Sequence, residues 1–191
     1  MTLSLPIEPA ATELLYASPL ALLLAMMLDQ QVTMEKAFGS PYVLRQRLGR
    51  DLDPAGLADG DPDELVALFS RPPALHRFPR AMAHRTQELA RILVDRYGGD
   101  TAALWTGART GTELLRRVAE LPGFGTQKAQ IFVALLGKQF GVTPRGWRTA
   151  AGIFGTRGGH HSVADVTDER SLAKVRAYKQ EMKAAARAAV S

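Results

Sequence analysis

The stretch LPGFGTQKAQ, residues 121–130, separates two segments whose apolar residues recur at helical spacing. Its proline and two glycines predict a tight turn, and Lys128 follows with no acidic residue in the stretch. Glycine takes up positive φ and lets another group approach the backbone closely. The amides of Phe124 and Gly125, with the first turn of the next helix, are therefore predicted to bind an anion such as phosphate. A turn between two helices that binds nothing is the alternative.

The composition is that of an ordinary globular protein. The chain has 191 residues, 46% hydrophobic and 23% charged, so it is long enough for a sizeable core. It contains no cysteine, which excludes disulfides, thiol catalysis and cysteine-ligated zinc or iron–sulfur sites. The first residues lack the basic segment of a signal peptide, and the apolar run Pro19–Leu28 is shorter than the ~20 residues of a membrane span. We expect a buried helix there, no membrane contact, and a cytoplasmic monomer.

Positive charge is concentrated in the second half of the chain. Residues 1–100 contain 10 Lys and Arg against 13 Asp and Glu, whereas residues 101–191 contain 14 against 6. Together with the formal net charge of +5, this asymmetry fits a polyanionic partner, because phosphates that are neutralised by Lys and Arg release counterions. A solvated basic face is the alternative.

Capping and spacing patterns predict helices and no strands. Ser18–Pro19 is typical of a helix start, and this helix is expected to run to about Gln31. Asp61 and the acid at Glu64 predict another start. Further helices are predicted at Met34–Leu48 with an interruption near Pro41, at Pro79–Tyr97, at 112–121, at 126–140, and after a cap at Thr167 or Asp168. Residues 141–161 are glycine-rich and are expected to be mostly loop. The fold class is therefore predicted to be all-α.

Three segments together resemble a known family. LPGFG followed by a helix is similar to the helix-hairpin-helix motif. LLLAMMLDQQVTMEKA, residues 22–37, resembles the early helix of the helix-hairpin-helix (HhH-GPD) DNA glycosylases, especially the 3-methyladenine glycosylase branch. AMAHRTQELARIL, residues 81–93, is similar to a third motif, and the three occur in the family's order. The resemblance spans about two-thirds of the chain.

The resemblance implies a fold and an activity. It implies a compact helical fold in which two lobes flank a cleft, formed by a single domain of residues 1–191. Within it we expect the hairpin motif at 112–140, the glycine-rich loop at 141–161 and a C-terminal helix at 168–190. The implied function is base-excision repair of duplex DNA by a DNA glycosylase that hydrolyses the N-glycosidic bond of a damaged base, with an alkylated base as the candidate. A DNA-binding or lesion-sensing module without catalysis is the alternative.

The resemblance also assigns DNA-binding residues. Gln31, beside Gln30, occupies the position of the residue that fills the gap left by a flipped base, since an enzyme acting on a base inside a duplex must extrude it. Both glutamines also fit the plain end of a core helix. The predicted hairpin contacts are Leu121, Pro122, Gly123, Phe124, Gly125, Thr126 and Lys128. A phosphate-binding rim, or a merely solvated one, is predicted at Arg145, Arg148, Arg157 and Lys138, with Trp147 either stacking on a base or packing inside the protein.

The chain departs from the family at the catalytic positions. The family's aspartate lies some twenty-odd residues after the hairpin, but no Asp or Glu occurs from residue 121 to residue 164. Asp165 is the first acid after that gap and is the predicted catalytic residue, with Asp29 as the alternative. Asp165 and Asp168 also fit simple helix caps. Bifunctional members carry a lyase lysine where this chain has Gln127, so we expect a monofunctional enzyme. No cofactor and no metal are expected, and the pair His160–His161 fits surface loop.

Overall fold

The computed structural model describes residues 3–188, and over this range it confirms the all-α prediction. The described residues form no strand, and an isolated β-bridge joins Thr110 to Arg145. The helices are α1 (Pro9–Ala17), α2 (Pro19–Leu28), α3 (Met34–Leu48), α4 (Pro54–Ala58), α5 (Pro62–Ser70), α6 (Pro79–Tyr97), α7 (Ala103–Thr106), α8 (Gly111–Ala119), α9 (Thr126–Gln139), α10 (Trp147–Ala150) and α11 (Glu169–Ala188). Two 3₁₀ turns follow α10, at Gly152–Gly155 and Val163–Asp165.

The chain forms two compact units. The first unit contains Pro6–Gly107 and Arg117–Gly125. The second unit contains residues 3–5, Ala108–Arg116 and residues 126–188. The chain therefore passes between the units four times, after residue 5, after residue 107, within α8 and at the start of α9.

The first unit is built around α2. Every residue from Leu20 to Leu28 is buried, which is typical of a helix that is apolar on all sides. The helix begins where predicted, because the Ser18 hydroxyl accepts the N–H of Ala21 at 3.2 Å and Pro19 follows it. It ends at Leu28, earlier than the predicted end near Gln31. Helices α1 and α3 pack against α2, while α4 and α5 pack against α6.

No single helix among the described residues is long and apolar enough to cross a membrane. Helices α1 and α2 meet those criteria of length and composition only as a pair, and the pair is bent by 114°.

The predicted interruption of α3 near Pro41 is wrong. The helix runs from Met34 to Leu48 with Pro41 inside it. A proline inside a helix removes one backbone hydrogen bond. The hydroxyl of the preceding residue, Ser40, lies within donating distance of two carbonyl oxygens, that of Lys36 in the same helix at 2.7 Å and that of Leu75 outside it at 2.8 Å. Ser40 and Pro41 are both buried, so packing within the first unit holds the helix together across the proline.

Local capping signals account for the other helices of this unit. Asp61 accepts the N–H groups of Asp63 and Glu64 at 2.7 and 3.1 Å and starts α5 as predicted. Helix α6 spans the predicted Pro79–Tyr97 and ends at Gly98 in the left-handed conformation, φ +60°.

The second unit is built around α9. Residues 132–136 of α9 are fully buried, and α10 and both 3₁₀ turns pack against this helix. Its last residue, Gln139, is 7% exposed and donates its amide N–H groups to the carbonyls of Ala164 at 2.9 Å and Val166 at 3.2 Å. One side chain therefore ties the end of α9 to the segment that precedes α11. The predicted loop at 141–161 holds α10 and one 3₁₀ turn, and the rest of it is irregular.

Asp168 caps α11, one of the two alternatives predicted. Its carboxylate accepts the N–H of Ser171 at 2.6 Å. This hydrogen bond, with a second contribution from the Ser171 hydroxyl, holds the pKa of Asp168 below its usual range. The predicted helix at 168–190 is described from Glu169 to Ala188, and its last two residues lie outside the described part of the chain.

Candidate nucleic-acid interface

The glycine turn after α8 is a type II β-turn. The N–H of Phe124 donates to the carbonyl of Leu121 at 3.1 Å, with Pro122 and Gly123 at the two central positions. Gly123 has φ of +83°. A type II turn requires a positive φ at this position and favours proline just before it, so the Pro-Gly pair specifies the turn.

Two buried side chains anchor this turn and leave its end open. Leu121 and Phe124 are only 4% and 5% exposed. Gly125 is exposed, and a Cβ built on it would meet no atom within 4 Å. Thr126, the first residue of α9, is exposed as well. The backbone at Gly125 is therefore accessible to a large ligand, and the first N–H groups of a helix lack partners within the helix.

Gly123 packs against α6 and α2 within the first unit. A Cβ at Gly123 would lie 2.7 Å from Cδ of Arg85 and 3.1 Å from Cγ of Met27. The first distance is shorter than carbon atoms tolerate. Glycine is thus required here by its conformation and also by its neighbours.

The glutamine pair follows α2 in a strained turn. The N–H of Gln30 donates to the carbonyl of Leu28 at 2.7 Å, and Asp29 between them has φ −70° and ψ 71°, the geometry of an inverse γ-turn. Gln31 then has a φ of +55°, and no other non-glycine residue among residues 3–188 has a positive φ. Such a conformation costs on the order of 1–3 kcal/mol and persists where surrounding contacts impose it. The Gln31 side chain is exposed.

A buried histidine links this turn to the start of α6. The Nε2 atom of His76 lies 2.8 Å from the carbonyl oxygen of Gln30, and its Nδ1 accepts the N–H of Phe78 at 3.0 Å. Because Nδ1 accepts, the proton must be on Nε2, which donates to Gln30. His76 is 2% exposed, whereas the Phe78 ring is 41% exposed, with the guanidinium of Arg77 5.3 Å from its centroid. His76 thus joins the glutamine turn to the backbone of the residue that carries this exposed aromatic ring.

Arg85 of α6 connects the glutamine turn with the glycine turn. Its Cδ lies under Gly123, and its Nη1 donates to Oε1 of Gln30 at 3.5 Å. The three segments that carry the family resemblance therefore meet at one side chain within the first unit. Sequence reasoning did not single out Arg85, His76 or Phe78. Arg85 stands inside the quoted segment AMAHRTQELARIL, but no local signal marked His76 or Phe78.

Asp165 is held in a polar network in the second unit. Its Oδ1 lies 2.5 Å from Nζ of Lys138, and its Oδ2 accepts the N–H groups of His161 at 2.9 Å and Ser162 at 3.3 Å. The side chains of Asp165 and Lys138 are 5% and 10% exposed. Together with the Ser162 hydroxyl, which accepts the N–H of Ala164, this arrangement is a capping box at the 3₁₀ turn. The alternative acid, Asp29, is partly exposed at the end of α2.

Trp147 and its neighbours lie in the same unit. The Trp147 ring is buried, and a Cβ on Gly137 of α9 would lie 2.4 Å from it. The guanidinium of Arg148 lies 4.3 Å above the ring and donates to the carbonyl of Gly155 at 2.8 Å. Arg145 is exposed. In this conformation Trp147 packs against the protein, and its stacking on a base stays a prediction.

The remaining predicted residues sit near the start of α9 or in the loop. Gln127 is exposed and Lys128 is partly exposed on the first turn of α9. His161 lies edge-on to Tyr178 of α11, with 4.9 Å between ring centroids. In the part of the chain that the structure describes, no three or more His, Asp or Glu side chains are grouped so as to hold a metal ion.

Comparison with known protein families identifies the class. The family model of HhH-GPD superfamily base excision DNA repair proteins matches residues 24–190. The chain belongs to this superfamily, as the helix-hairpin-helix resemblance predicts. Searches among curated proteins and among solved structures found no match. Membership, with the all-helical structure, implies DNA binding and a part in base-excision DNA repair.

Proposed function

We propose that this protein is a cytoplasmic, monomeric base-excision repair protein that binds duplex DNA and extrudes a damaged base with Gln31. The observation that carries the proposal is the meeting of the glutamine turn, the glycine turn and α6 at Arg85. Hydrogen bonds of 2.8 and 3.5 Å from His76 and Arg85 to Gln30, together with the close packing of Arg85 against Gly123, fix the two turns relative to each other within one compact unit. A preorganised pair of turns suits a rigid, repeating ligand such as duplex DNA.

The glycine turn and the start of α9 would hold the phosphate backbone. The open backbone at Gly125 and the N–H groups of the first turn of α9 are donors for phosphate oxygens. Lys128 adds positive charge there, and the basic second half of the chain adds more. Such contacts position the duplex without reading its sequence.

Gln31 would enter the stack where the base leaves it, and Phe78 would support the opened duplex. Gln31 is exposed and held in the left-handed conformation, and the Phe78 ring is 41% exposed. An aromatic ring stacks on any exposed base for about 1–3 kcal/mol. Because the hydrogen bonds of His76 join the Phe78 backbone to the carbonyl of Gln30, the residue before Gln31, Gln31 and Phe78 would act as one wedge.

The catalytic step that we propose is hydrolysis by a monofunctional glycosylase, with an alkylated base as the first candidate substrate. Water adds its oxygen to the sugar C1′, the bond from C1′ to the base nitrogen breaks, and the proton of the water ends on the departing base. The Asp165 carboxylate would stabilise the positive charge that develops on the sugar. The absence of an amine at Gln127 favours hydrolysis over a lyase step.

A second candidate function is that of a lesion-binding protein without catalysis. The ion pair between Asp165 and Lys138 favours this candidate. Lys138 and two backbone N–H groups already use the Asp165 carboxylate. A carboxylate with these partners stabilises the 3₁₀ turn, and a developing charge on a sugar would compete with Lys138 for it.

The decisive experiment uses a panel of duplexes, each with one altered base, followed by alkali cleavage at abasic sites. The glycosylase proposal expects strand cleavage for at least one lesion, with alkylated purines tested first. Asp165→Asn should lower base release by ~10²–10³ while DNA affinity is kept. Asp29→Asn is the matched control, and loss of release in that variant alone would move catalysis to Asp29.

One further variant guards against misfolding. Asp165→Asn leaves Lys138 buried without its counter-charge, which is costly, so Lys138→Met combined with Asp165→Asn is tested in parallel. Base release at the wild-type rate in the double variant would refute a catalytic Asp165. If the wild type binds one lesion more tightly but releases no base, the binding-only candidate is supported. If it neither releases a base nor prefers any lesion, both candidates are overturned.

A further inference from the structure

The second unit contains a pocket whose lining includes the proposed catalytic residue Asp165 and three residues of the predicted phosphate-binding rim, Lys138, Arg148 and Arg157. Its volume is about 550 Å³, and it lies between the C-terminal end of α9, the loop at 157–160 and the first turns of α11. Pockets of roughly 300–1,000 Å³ hold small molecules. A mononucleotide is within that range.

The lining of this pocket is predominantly cationic. Two acidic side chains line it, Asp165 and Asp168, and five basic ones, which are Lys138, Arg148, Arg157, Arg170 and Lys174. Lys138 and Asp165 neutralise each other through their ion pair. The Asp168 carboxylate is directed to the N–H of Ser171 as the cap of α11. Four cations therefore stand against one remaining carboxylate.

The arginines of the pocket are available to a ligand. Among the described residues, no carboxylate forms a salt bridge with Arg148, Arg157 or Arg170. Arg157 and Arg170 are exposed, while Arg148 is fixed by the Trp147 ring and the Gly155 carbonyl. A guanidinium group matches the oxygens of a phosphate in a two-point contact. One preset arginine with two adjustable ones suits a single phosphate group.

Two further features of the lining fit an anion. Lys174 lies 3.3 Å from Nε2 of His160, which keeps the lysine at the rim without neutralising it. Gly158 has φ of +67°, and a Cβ built on it would meet no atom within 4 Å, so the loop exposes its backbone there. Backbone N–H groups in glycine loops commonly contact phosphates.

We propose that this pocket binds a terminal phosphate, the monoester group of a nucleotide or of a 5′-phosphorylated DNA end. A monoester carries close to two negative charges near neutral pH, which fits the excess of three cations better than the single charge of a diester. The pocket is also bounded in volume, whereas a diester continues in both directions along a strand. The glycine turn belongs to the first unit and contributes no residue to the lining of this pocket.

The test is isothermal titration of the full chain near physiological salt with 2′-deoxyadenosine 5′-monophosphate and with deoxyadenosine. The monophosphate should bind at least tenfold more tightly. Arg157→Gln and Arg170→Gln should each weaken its binding by roughly 10- to 100-fold, as expected for loss of a charged hydrogen bond. Arg176→Gln is the matched control, because it removes the same charge from an exposed position of α11 outside the pocket.

A second arm distinguishes the two sources of the phosphate. Duplexes of one sequence, with and without a 5′-phosphate, are compared for binding to the wild type and to Arg157→Gln. A preference for the 5′-phosphate that Arg157→Gln removes assigns the pocket to DNA ends, and a preference for the free nucleotide alone assigns it to a soluble ligand. The proposal is overturned if neither phosphorylated form is preferred, or if Arg176→Gln weakens binding as much as Arg157→Gln does.

Discussion

Replacing His76 with phenylalanine should disconnect the glutamine turn from the start of α6. The imidazole donates to the carbonyl of Gln30 at 2.8 Å and accepts the N–H of Phe78 at 3.0 Å, and a phenyl ring of similar size does neither. Each polar group left without a partner near this 2% exposed site costs ~1–3 kcal/mol. With two such groups, we therefore expect the free energy of unfolding to fall by ~2–6 kcal/mol, a large share of the ~5–15 kcal/mol of a typical domain.

Two conservative variants of His76 divide this effect between its hydrogen bonds. His76→Gln offers an amide donor to Gln30, whereas His76→Asn offers an acceptor to Phe78. Each should cost about half as much stability as the phenylalanine variant. Only the donor to Gln30 acts directly on the backbone that holds Gln31, so His76→Gln should keep the preference for a duplex with an abasic site and His76→Asn should lose it.

Urea unfolding followed by circular dichroism measures the stability of these variants. Fluorescence anisotropy with intact and abasic duplexes measures their preference for a gap. The bridging role of His76 is refuted if His76→Phe loses less than ~0.5 kcal/mol of stability, or if the Gln and Asn variants show the same preference for the abasic duplex.

Three further outcomes are expected. Gly123→Ala should lower stability by ~1–3 kcal/mol, because its Cβ would meet Arg85 at 2.7 Å and φ is +83°; urea unfolding checks this, and binding to intact and damaged duplex should weaken equally. Gly137→Ala should cost ~1–3 kcal/mol, because its Cβ would lie 2.4 Å from the Trp147 ring; an unchanged midpoint in urea would contradict the packing. Borohydride trapping with abasic DNA should give no covalent adduct, since Gln127 has no amine.

Much of the fold was predictable because its signals are local. Ser18, Asp61 and Asp168 each cap a helix within three residues of themselves, so their role can be inferred from a short window of sequence. The type II turn at Pro122–Gly123 is specified in the same way. The failure at Pro41 has the opposite cause, because burial within the first unit sustains the helix there and a short window does not reveal burial.

The candidate site was only partly predictable. Gln31 and the glycine turn were identified through a family resemblance. The bridge between Gln30 and Phe78 depends on His76, whose partner Gln30 lies 46 residues away, and Arg85 acts on Gln30 from 55 residues away. Such roles arise only once the chain folds. Similarly, the sequence offers Lys138 as a phosphate contact, but folding places a carboxylate 2.5 Å from it.

The proposed replacement of an extruded base by Gln31 can be followed by the fluorescence of 2-aminopurine. This base is quenched while stacked, so a duplex that carries it at a mismatched target position brightens when the base leaves the helix. Saturating wild-type protein should raise the fluorescence several-fold, and Gln31→Ala should bind the same duplex through its phosphate contacts with little rise. No rise with the bound wild type, or an equal rise with Gln31→Ala, would contradict the claim.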